Sequence, residues 1–501
     1  RLAGGKKADV KAEFSNLFCI SYRQAGPIML YIIGRIFYER SIFMKEAVSK
    51  ENQITHGVIW KQLLVFFFPI LLGTFFQQIY NTADTVVVGR FVGTQALAAV
   101  GGSTSQIINL IVGFFTGLAS GATVVISQHY GAKDQEGVQR GLRTAYAFSI
   151  VGGVIVSILS ILLTRPLLEL LNTPEDFIDM SATYLCIYFA GLIFVFIYNV
   201  GAGILRAVGD SRRPLYFLIV CCFINIVLDI VLVVFFHMGV AGAAIATTFS
   251  QGVSAVLVTI TLCRSTDMFK LHLRKIRFYA QPMAMILKIG LPAGLQSAMY
   301  SISNVIIQSS LNTFGTNTVA AWTAFSKIDS LYWMISGAFG IAITTFVGQN
   351  YGARKFGRMK KSINISLAMD FGSSVAISVL LLIFGGFVFR LFTTDAQVID
   401  IGMGILRLMA PGYAAFAFVE IYSGALRGTG DVILPMLMTC GGICIFRVVW
   451  IFFILPLNNT LDMIVYSYPI SWVLTGLLYI IYYFKKRQQF PDTDEPDEVQ
   501  A

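Results

Sequence analysis

Charged residues and histidine are scarce in this chain. Asp, Glu, Lys and Arg make up 13% of the 501 residues, hydrophobic residues make up 56%, and there are four histidines. Soluble domains carry about 25% charged residues, so the composition excludes an ordinary soluble fold and indicates a membrane protein. The apolar runs are long and do not alternate with polar residues. This excludes a β-barrel and predicts an all-α membrane protein.

Patterns for catalysis and for metal binding are also missing. The sequence has no P-loop, GxSxG or HExxH motif, and its histidines lie outside the apolar runs or at their edges. Cys440 and Cys444 share a helix face without further Cys or His partners, so packing is favoured over a metal site. We therefore expect no enzymatic activity and no cofactor. The longest connection, 264–283, is too short for a nucleotide-binding domain, so an ion gradient is the expected energy source.

Twelve apolar runs are long enough to cross a bilayer, which takes about 20 mostly apolar residues per helix. The sequence predicts transmembrane helices over 60–84, 99–127, 141–163, 180–203, 214–236, 239–262, 284–310, 319–347, 363–389, 401–424, 434–456 and 462–484.

The runs divide the chain into two lobes with short flanking segments. Residues 1–56 are expected to be an N-terminal extension, of which the part before Met44 is interpreted as upstream or fragmentary sequence and not native. The remaining predicted segments are an N-lobe at 57–263 with helices 1–6, a cytoplasmic linker at 264–283, a C-lobe at 284–484 with helices 7–12, and a charged cytoplasmic tail at 485–501.

Basic residues are distributed unequally between the two sets of loops. Loops on the side of residue 60 hold 20 Lys or Arg, whereas the opposite loops hold only Arg90, Arg165 and Arg390. Because cytoplasmic loops carry the excess of Lys and Arg, both termini are expected in the cytoplasm. The net charge of +10 then reflects topology and contact with anionic lipid, and no nucleic-acid partner is expected.

The two halves of the sequence repeat each other. GILRAVGDSRRP at 203–214 returns as GALRGTGDVILP at 424–435, and QHYGAK at 128–133 returns as QNYGAR at 349–354, both at an offset of 221. Two further matches have offsets of 222 and 223. Six helices per half give both halves the same orientation, which is a parallel internal repeat. A substrate is then expected between the halves.

These repeated motifs resemble the multidrug and toxic compound extrusion (MATE) family, and in detail its DinF-like branch. The resemblance is carried by NTADTVVVGRFVG at 81–93, SQHYGAKD at 127–134, GILRAVGD at 203–210 and their second-half counterparts. It implies a V-shaped transporter of two six-helix bundles that exports organic cations against an inward flow of Na+ or H+.

Buried acidic residues mark the candidate site of the first half. Asn225 and Asp229 are four residues apart in one apolar run and therefore share a helix face. With Asp84 and Thr247 they supply the carboxylate, amide and hydroxyl oxygens that a hard cation such as Na+ prefers. By resemblance these four positions match the cation site of the DinF-like branch, and Asn199 is added as a candidate. An alternative for Asp84 is that it caps a helix end.

Two acidic residues in one half would repel each other unless a cation or a proton were bound. Charged side chains inside a membrane helix cost about 2.5–3.5 kcal/mol each, so such residues are usually retained for a partner or a task. Loading Na+ or H+ would remove net charge and allow the bundle to repack. This predicts coupling of the ion to a conformational change.

The second half carries different polar residues. The candidates for a C-lobe polar or substrate site are Tyr300, Lys327, Asp329, Glu420 and Arg447. Relatives in the family carry a Glu where this sequence has Tyr300, which argues against a C-lobe cation site of that type. A buried ion pair of Glu420 with Arg447 or Lys327 is favoured over a role in substrate binding.

Two repeated backbone features are interpreted structurally. Pro69 and Pro292, inside the first and seventh runs, each remove one backbone hydrogen bond and are candidate hinges or static bends. In the repeated GxLRxxGD motif, Gly209 and Gly430 permit a sharp turn. Its Arg and Asp, Arg206 and Asp210 in the first copy, are expected to latch neighbouring loops.

The sequence thus predicts a monomeric, multi-pass transporter of a bacterial cell membrane. Its expected partners are small cationic substrates and the lipid bilayer, and its coupling ion is Na+ or H+. A flippase for lipid-linked intermediates is the alternative, although such a cavity would be rich in Arg or Lys. An intramembrane enzyme is third, because no convergent nucleophile and base are found.

Overall fold

The computed structural model describes residues 53–171, 173–265, 268–492 and 494. The described residues from Ile54 onward belong to one compact unit. The predictions for residues 1–52 and for 495–501 of the tail lie outside the described residues.

The described chain is helical and contains no β-strand, as predicted. Within the described residues, ten helices are long and apolar enough to cross a membrane, or eleven when a pair bent by 46° counts as one span. They are α1 Ile59–Phe91, α2 Thr94–Gly131, α3 Gln135–Leu170, α4 Glu175–Ala190 with Leu192–Ala207, α5 Arg212–Phe235, α6 Gly239–Arg264, α8 Thr316–Gly352, α9 Phe356–Arg390, α10 Ala396–Thr429, α11 Ile433–Leu457 and α12 Leu461–Arg487.

The seventh predicted span is helical but less apolar than the others. It forms α7, Ala280–Asn312, which is 33 residues long. Its second half is rich in polar side chains, and Gln296, Asn304 and Gln308 among them line a cavity of the second half. The twelfth span of the expected count is thus α7. Its hydropathy is low because it turns a polar face toward the protein interior.

The repeat extends to irregular backbone geometry. The end of α5 is π-helical over Ile230–Phe235, and α11 is π-helical over Trp450–Ile454, which is the corresponding position at the offset of about 221. A second π-helical stretch, Cys440–Ile445, precedes it in α11. Such wide turns are rare and frequently occur at functional sites. Asp229 immediately precedes the first of them.

The helices α1 and α7 each contribute to the cores of both halves. In α1, Leu63 and Phe67 precede Pro69 and belong to the core of the second half, whereas Val87 and Val88 belong to a core of the first half. α1 runs unbroken through the proline.

The arrangement of α7 mirrors that of α1. Ile286 and Ile289 precede Pro292 and pack in a core of the first half, whereas Ile307 and Leu311 pack in the core of the second half. The two prolines therefore lie where a helix passes from one half to the other.

Reciprocal hydrogen bonds join the halves at the end where α2, α4, α8 and α10 finish, here called the motif end. Gln128 Nε2 donates to the carbonyl oxygen of Gly428 at 2.8 Å, and Gln349 Nε2 donates to that of Ala207 at 2.6 Å. Both donors and both acceptors are related by the offset of 221. The repeated QxYGA and GxLRxxGD motifs therefore hold each other across the two halves.

Glycine permits this close approach. A Cβ on Gly131 would lie 2.0 Å from the backbone oxygen of Gln349, and one on Gly352 would lie 1.9 Å from that of Gln128. These contacts are with backbone, so no larger residue fits without moving a helix.

The motif glycines turn the chain as predicted, and the motif aspartates contact neighbouring segments without pairing with the motif arginines. Gly209 and Gly430 have φ of 95° and 88°. Asp210 pairs with Arg213 Nε at 3.1 Å, not with Arg206, because Arg213 lies in the first turn of α5, directly after the motif turn. Burial raises the pKa of Asp210. In the second copy Asp431 accepts from Tyr482 and Lys486 of α12 instead of pairing with its own Arg.

Replacing both glutamines, Gln128→Ala with Gln349→Ala, is expected to loosen the motif end. Each bond contributes about 0.5–1.5 kcal/mol, so the pair stabilises the joined halves by about 1–3 kcal/mol. This corresponds to a roughly five- to 150-fold change in the ratio of joined to separated halves at this end. Spin labels at the exposed positions Gln135 and Lys361, in a background without other cysteines, are expected to show longer and broader distances by pulsed electron resonance.

Gln139→Ala is the matched control. Gln139 Nε2 also donates to backbone carbonyls, those of Met268 and Lys270, but both lie next to the first half. An unchanged distance distribution in the double variant would contradict the role of the two glutamine hydrogen bonds in holding the halves together.

Candidate functional site

The four predicted cation-site residues of the first half lie together. α1 contributes Asp84, α5 contributes Asn225 and Asp229, and α6 contributes Thr247, and each side chain is at most 4% exposed. Thr247 Oγ1 donates to Asp84 Oδ2 at 2.8 Å, and Asn225 Nδ2 donates to Thr247 Oγ1 at 3.3 Å. One chain of hydrogen bonds therefore connects three helices.

Several oxygens of this cluster have no donor among the described residues. They are both carboxylate oxygens of Asp229, Oδ1 of Asp84 and Oδ1 of Asn225. The carboxyl groups of Asp84 and Asp229 lie beside each other. Buried acceptors are rarely left unpaired, so these oxygens form a set that a small cation could complete.

The donor set fits a monovalent cation better than a transition metal. Carboxylate, amide and hydroxyl oxygens are hard ligands, and in the described part of the chain no three His, Cys, Asp or Glu side chains are placed so that they could hold a metal ion. Two neighbouring carboxylates also supply a place for a proton. The geometry is consistent with either Na+ or H+.

Two predictions about this half need correction or extension. Asp84 does not cap a helix, because α1 continues to Phe91 and the carboxylate is used on α6. Asn199 donates to the carbonyl of Val195 in its own helix, and makes no hydrogen bond with the other four among the residues described. Its amide is occupied by the helix backbone.

Sequence reasoning missed the aromatic surroundings of the cluster. The hydroxyl of Tyr184, from α4, lies within reach of Asp84. Tyr80 lies one helical turn before Asp84 and accepts from Gln251 Nε2 at 3.0 Å. The signal in the sequence was the i, i+4 spacing of Tyr80 and Asp84, which places both on one face of α1.

A cavity of about 550 Å³ lies within the second half, among α7, α8, α10, α11 and α12. Four of the five predicted C-lobe residues line it, namely Tyr300, Asp329, Glu420 and Arg447. Aromatic rings of α8, α10 and α12 complete the wall. The cavity therefore combines aromatic faces with two carboxylates and one guanidinium group.

Two aromatic side chains orient Asp329. Trp333 Nε1 donates to Oδ2 at 2.6 Å, and the Tyr413 hydroxyl donates to Oδ1 at 2.5 Å. The carboxylate is half-buried at the cavity wall. Among the described residues no salt bridge reaches this carboxylate, and the guanidinium group of Arg447 acts on it electrostatically across the cavity.

Arg447 is held by aromatic rings. Its guanidinium carbon lies 4.0 Å from the ring centre of Tyr468 and 5.5 Å from that of Trp472, and Nε donates to Ser471 Oγ at 3.0 Å. Stacking on aromatic faces stabilises a buried guanidinium group through cation–π attraction.

The predicted buried ion pair of Glu420 is not found among the described residues. No salt bridge joins Glu420 to Arg447, since the latter is committed to its aromatic neighbours. Lys327 is exposed and does not line the cavity, because its position on α8 turns it outward. Glu420 instead packs against Gly340 and interacts with Asp370 of α9.

A family model matches the chain twice. The MatE model covers residues 69–231 and 292–453, one match in each half. The chain belongs to the MatE family. The two matches are 222–223 residues apart, which agrees with the parallel repeat of this MATE transporter.

Relatives and solved structures agree with this assignment. The chain is 29% identical over 443 residues to the probable multidrug resistance protein YoeA of Bacillus subtilis, covering 86% of this chain and 95% of YoeA. It is 23% identical to the multidrug export protein MepA of Staphylococcus aureus, over 74% of this chain and 82% of MepA. A MOP superfamily transporter from Pyrococcus furiosus superposes with a TM-score of 0.82 at 24% identity, covering 88% and 99% of the two chains. The MATE fold expected from the sequence is thus confirmed.

Na+ is expected to stabilise the folded MATE chain through the acidic cluster. At about 100 times its dissociation constant a ligand adds about 2.7 kcal/mol to the free energy of unfolding. In Asp229→Asn the share of this gain that comes from the acidic cluster is expected to disappear, because the carboxylate that needs the cation is gone. Thermal unfolding of the purified protein in sodium chloride and in choline chloride measures the difference.

Asp400→Asn is the control, since Asp400 is an exposed acidic residue at the start of α10. An Na+-dependent shift of equal size in Asp229→Asn and in the native protein would contradict binding at this cluster.

Proposed function

We propose that this MATE efflux transporter is a secondary antiporter that exports lipophilic organic cations in exchange for Na+ or H+ by alternating access. The observation that carries the proposal is Asp229, a fully buried acidic residue with no donor on either oxygen among the described residues. A charge at that depth costs about 2.5–3.5 kcal/mol or more. An exchangeable cation removes this cost each time it binds.

Cation binding at the cluster would act on α1. Asp84 belongs to α1 and is tied to α6 through Thr247. The first part of α1 packs in the core of the second half, where Phe67 stacks on Phe339 at 4.1 Å between ring centres. Drawing Asp84 toward a cation shared with Asp229 would therefore shift a helix that both halves share, with Pro69 at the point of passage.

The C-lobe cavity is the proposed substrate site. A flat aromatic cation could stack on its rings while Asp329 and Glu420 supply negative charge. Arg447 leaves the cavity with one net negative charge when both carboxylates are ionised. This balance favours monocationic substrates over phosphorylated lipids.

The proposed setting is a bacterial cell membrane with both termini in the cytoplasm. The unequal distribution of Lys and Arg supports this orientation. The motif end would then face the cytoplasm, and the Gln128 and Gln349 hydrogen bonds would keep that side closed. The transporter is proposed to act as a monomer in the bilayer.

Ethidium efflux from proteoliposomes tests the coupling. Under separately imposed Na+ and proton gradients, one gradient is expected to drive efflux by the native protein. Asp229→Asn and Asp84→Asn are expected to reduce this rate to that of protein-free vesicles, because the variants no longer need a cation. Asp400→Asn should export at the native rate, and gradient-driven export at full rate by Asp229→Asn would contradict the proposal.

Substrate recognition is tested by Asp329→Asn. Loss of a fixed negative charge at the cavity wall is expected to raise the KM for ethidium by roughly tenfold, which corresponds to about 1.4 kcal/mol. The maximal rate and the gradient dependence should change little, since the acidic cluster of the first half is untouched. A neutral lipophilic dye of similar size serves as the control, and an equal rise in its KM would argue against charge recognition.

A further inference from the structure

A line of buried polar residues runs along α9. Ser362, Ser366, Asp370, Ser374 and Ser378 follow each other at intervals of four, and none is more than 7% exposed. This spacing places them on one face of the helix. Serine on such a face commonly serves helix packing in membranes, so the line of serines by itself indicates no site.

Hydrogen bonding separates the middle of this line from its ends. Ser362 Oγ donates to the carbonyl of Met359, and Ser378 Oγ donates to that of Ala410. In contrast, Ser366 Oγ, Ser374 Oγ and Asp370 Oδ1 have no partner among the residues that the structure describes. Buried polar groups without partners are rare and costly.

Asp370 has one neutral donor and an acidic neighbour. Ser336 Oγ, from α8, donates to Asp370 Oδ2 at 3.1 Å. Glu420, from α10, interacts with Asp370 across the helix interface, and the phenol of Tyr332 also faces it. The Glu420 carboxylate packs against Gly340, one helical turn after Ser336 on α8, so both acidic residues contact neighbouring turns of the same helix.

Positive charge is lacking at this place. No salt bridge involves Asp370 or Glu420 in the described part of the chain. Arg427 is seven residues beyond Glu420 on α10, about 10 Å along the helix axis, and acts on it only at long range. Two neighbouring carboxylates without a basic partner are expected to require a cation or a proton.

The position is specific to the second half. At the offset of 221, Asp370 corresponds to Ser149 and Glu420 to Asn199. Conversely, Asp229 corresponds to Trp450. The second half therefore does not copy the acidic cluster of the first half, and carries its carboxylates on a different set of helices.

We propose that Asp370, Glu420, Ser336 and Ser374 form a second cation-loading site in the C-lobe, which takes Na+ or a proton. The inference rests on the proposed ion-coupled function and extends it to two sites. Hydroxyl and carboxylate oxygens suit either ligand. Glu420 also lines the substrate cavity, so the loaded cation and a cationic substrate compete for the same negative charge.

Counting bound cations tests the second site. With 22Na+ as the probe, the native purified protein is expected to bind two ions per chain, Asp370→Asn one, Asp229→Asn one and the double variant none. For protons, potentiometric titration between pH 5 and 9 in Na+-free buffer is expected to show the same pattern of losses. Asp400→Asn again serves as the control.

The outcomes distinguish the two proposals. If Asp229→Asn abolishes all binding while Asp370→Asn changes neither the 22Na+ count nor the proton count, the second site is refuted and the coupling proposal stands. If no variant changes either count, both are refuted. Two further variants test the site even if Asp370→Asn fails to fold. Asp370→Ser introduces the residue found at the repeat position in the first half and is expected to bind one 22Na+. Ser336→Ala is expected to weaken 22Na+ binding about tenfold.

Discussion

A buried carboxylate without a hydrogen-bond donor is the constraint on which the rest of this structure depends. Asp229 is fully buried, and neither of its oxygens has a donor among the described residues. Its neighbours Asp84, Asn225 and Thr247 offer oxygens in place of positive charge, so the cluster gains stability only when a cation or proton arrives. Asp84 belongs to α1, which packs in both halves, so in the proposed mechanism the state of charge acts on the contact between the halves.

The repeat preserves backbone geometry more faithfully than polar chemistry. The reciprocal bonds of Gln128 and Gln349, the close approach at Gly131 and Gly352, and the π-helical ends of α5 and α11 all recur in both halves. These features each depend on a particular residue at a particular position of the helix packing, and the glutamine bonds and glycine contacts hold the halves together. The interior carboxylates do not join the halves, so each half can carry its own set and the two lobes can bind different ligands.

Much of the fold could be predicted from the sequence, because long apolar runs and ordered motif repeats are local signals. That Asn225 and Asp229 lie on one face could be predicted from their spacing in one helix. That Asp84 and Thr247 join them could be predicted only from the family resemblance. The pairing of Asp370 with Glu420 depends on how α8, α9 and α10 pack, which no local pattern encodes. For the same reason Lys327 was wrongly expected inside, and Arg447 was wrongly expected to seek a carboxylate in place of aromatic rings.

Infrared difference spectroscopy of the carboxyl bands measures the central claim most directly. Spectra are recorded for the native protein and for Asp229→Asn on exchange of choline for Na+, and on a change of pH in Na+-free buffer. The account predicts carboxyl or carboxylate bands in the native spectrum under one of these exchanges that are missing from the Asp229→Asn spectrum. Identical difference spectra for the two proteins under both exchanges would contradict it.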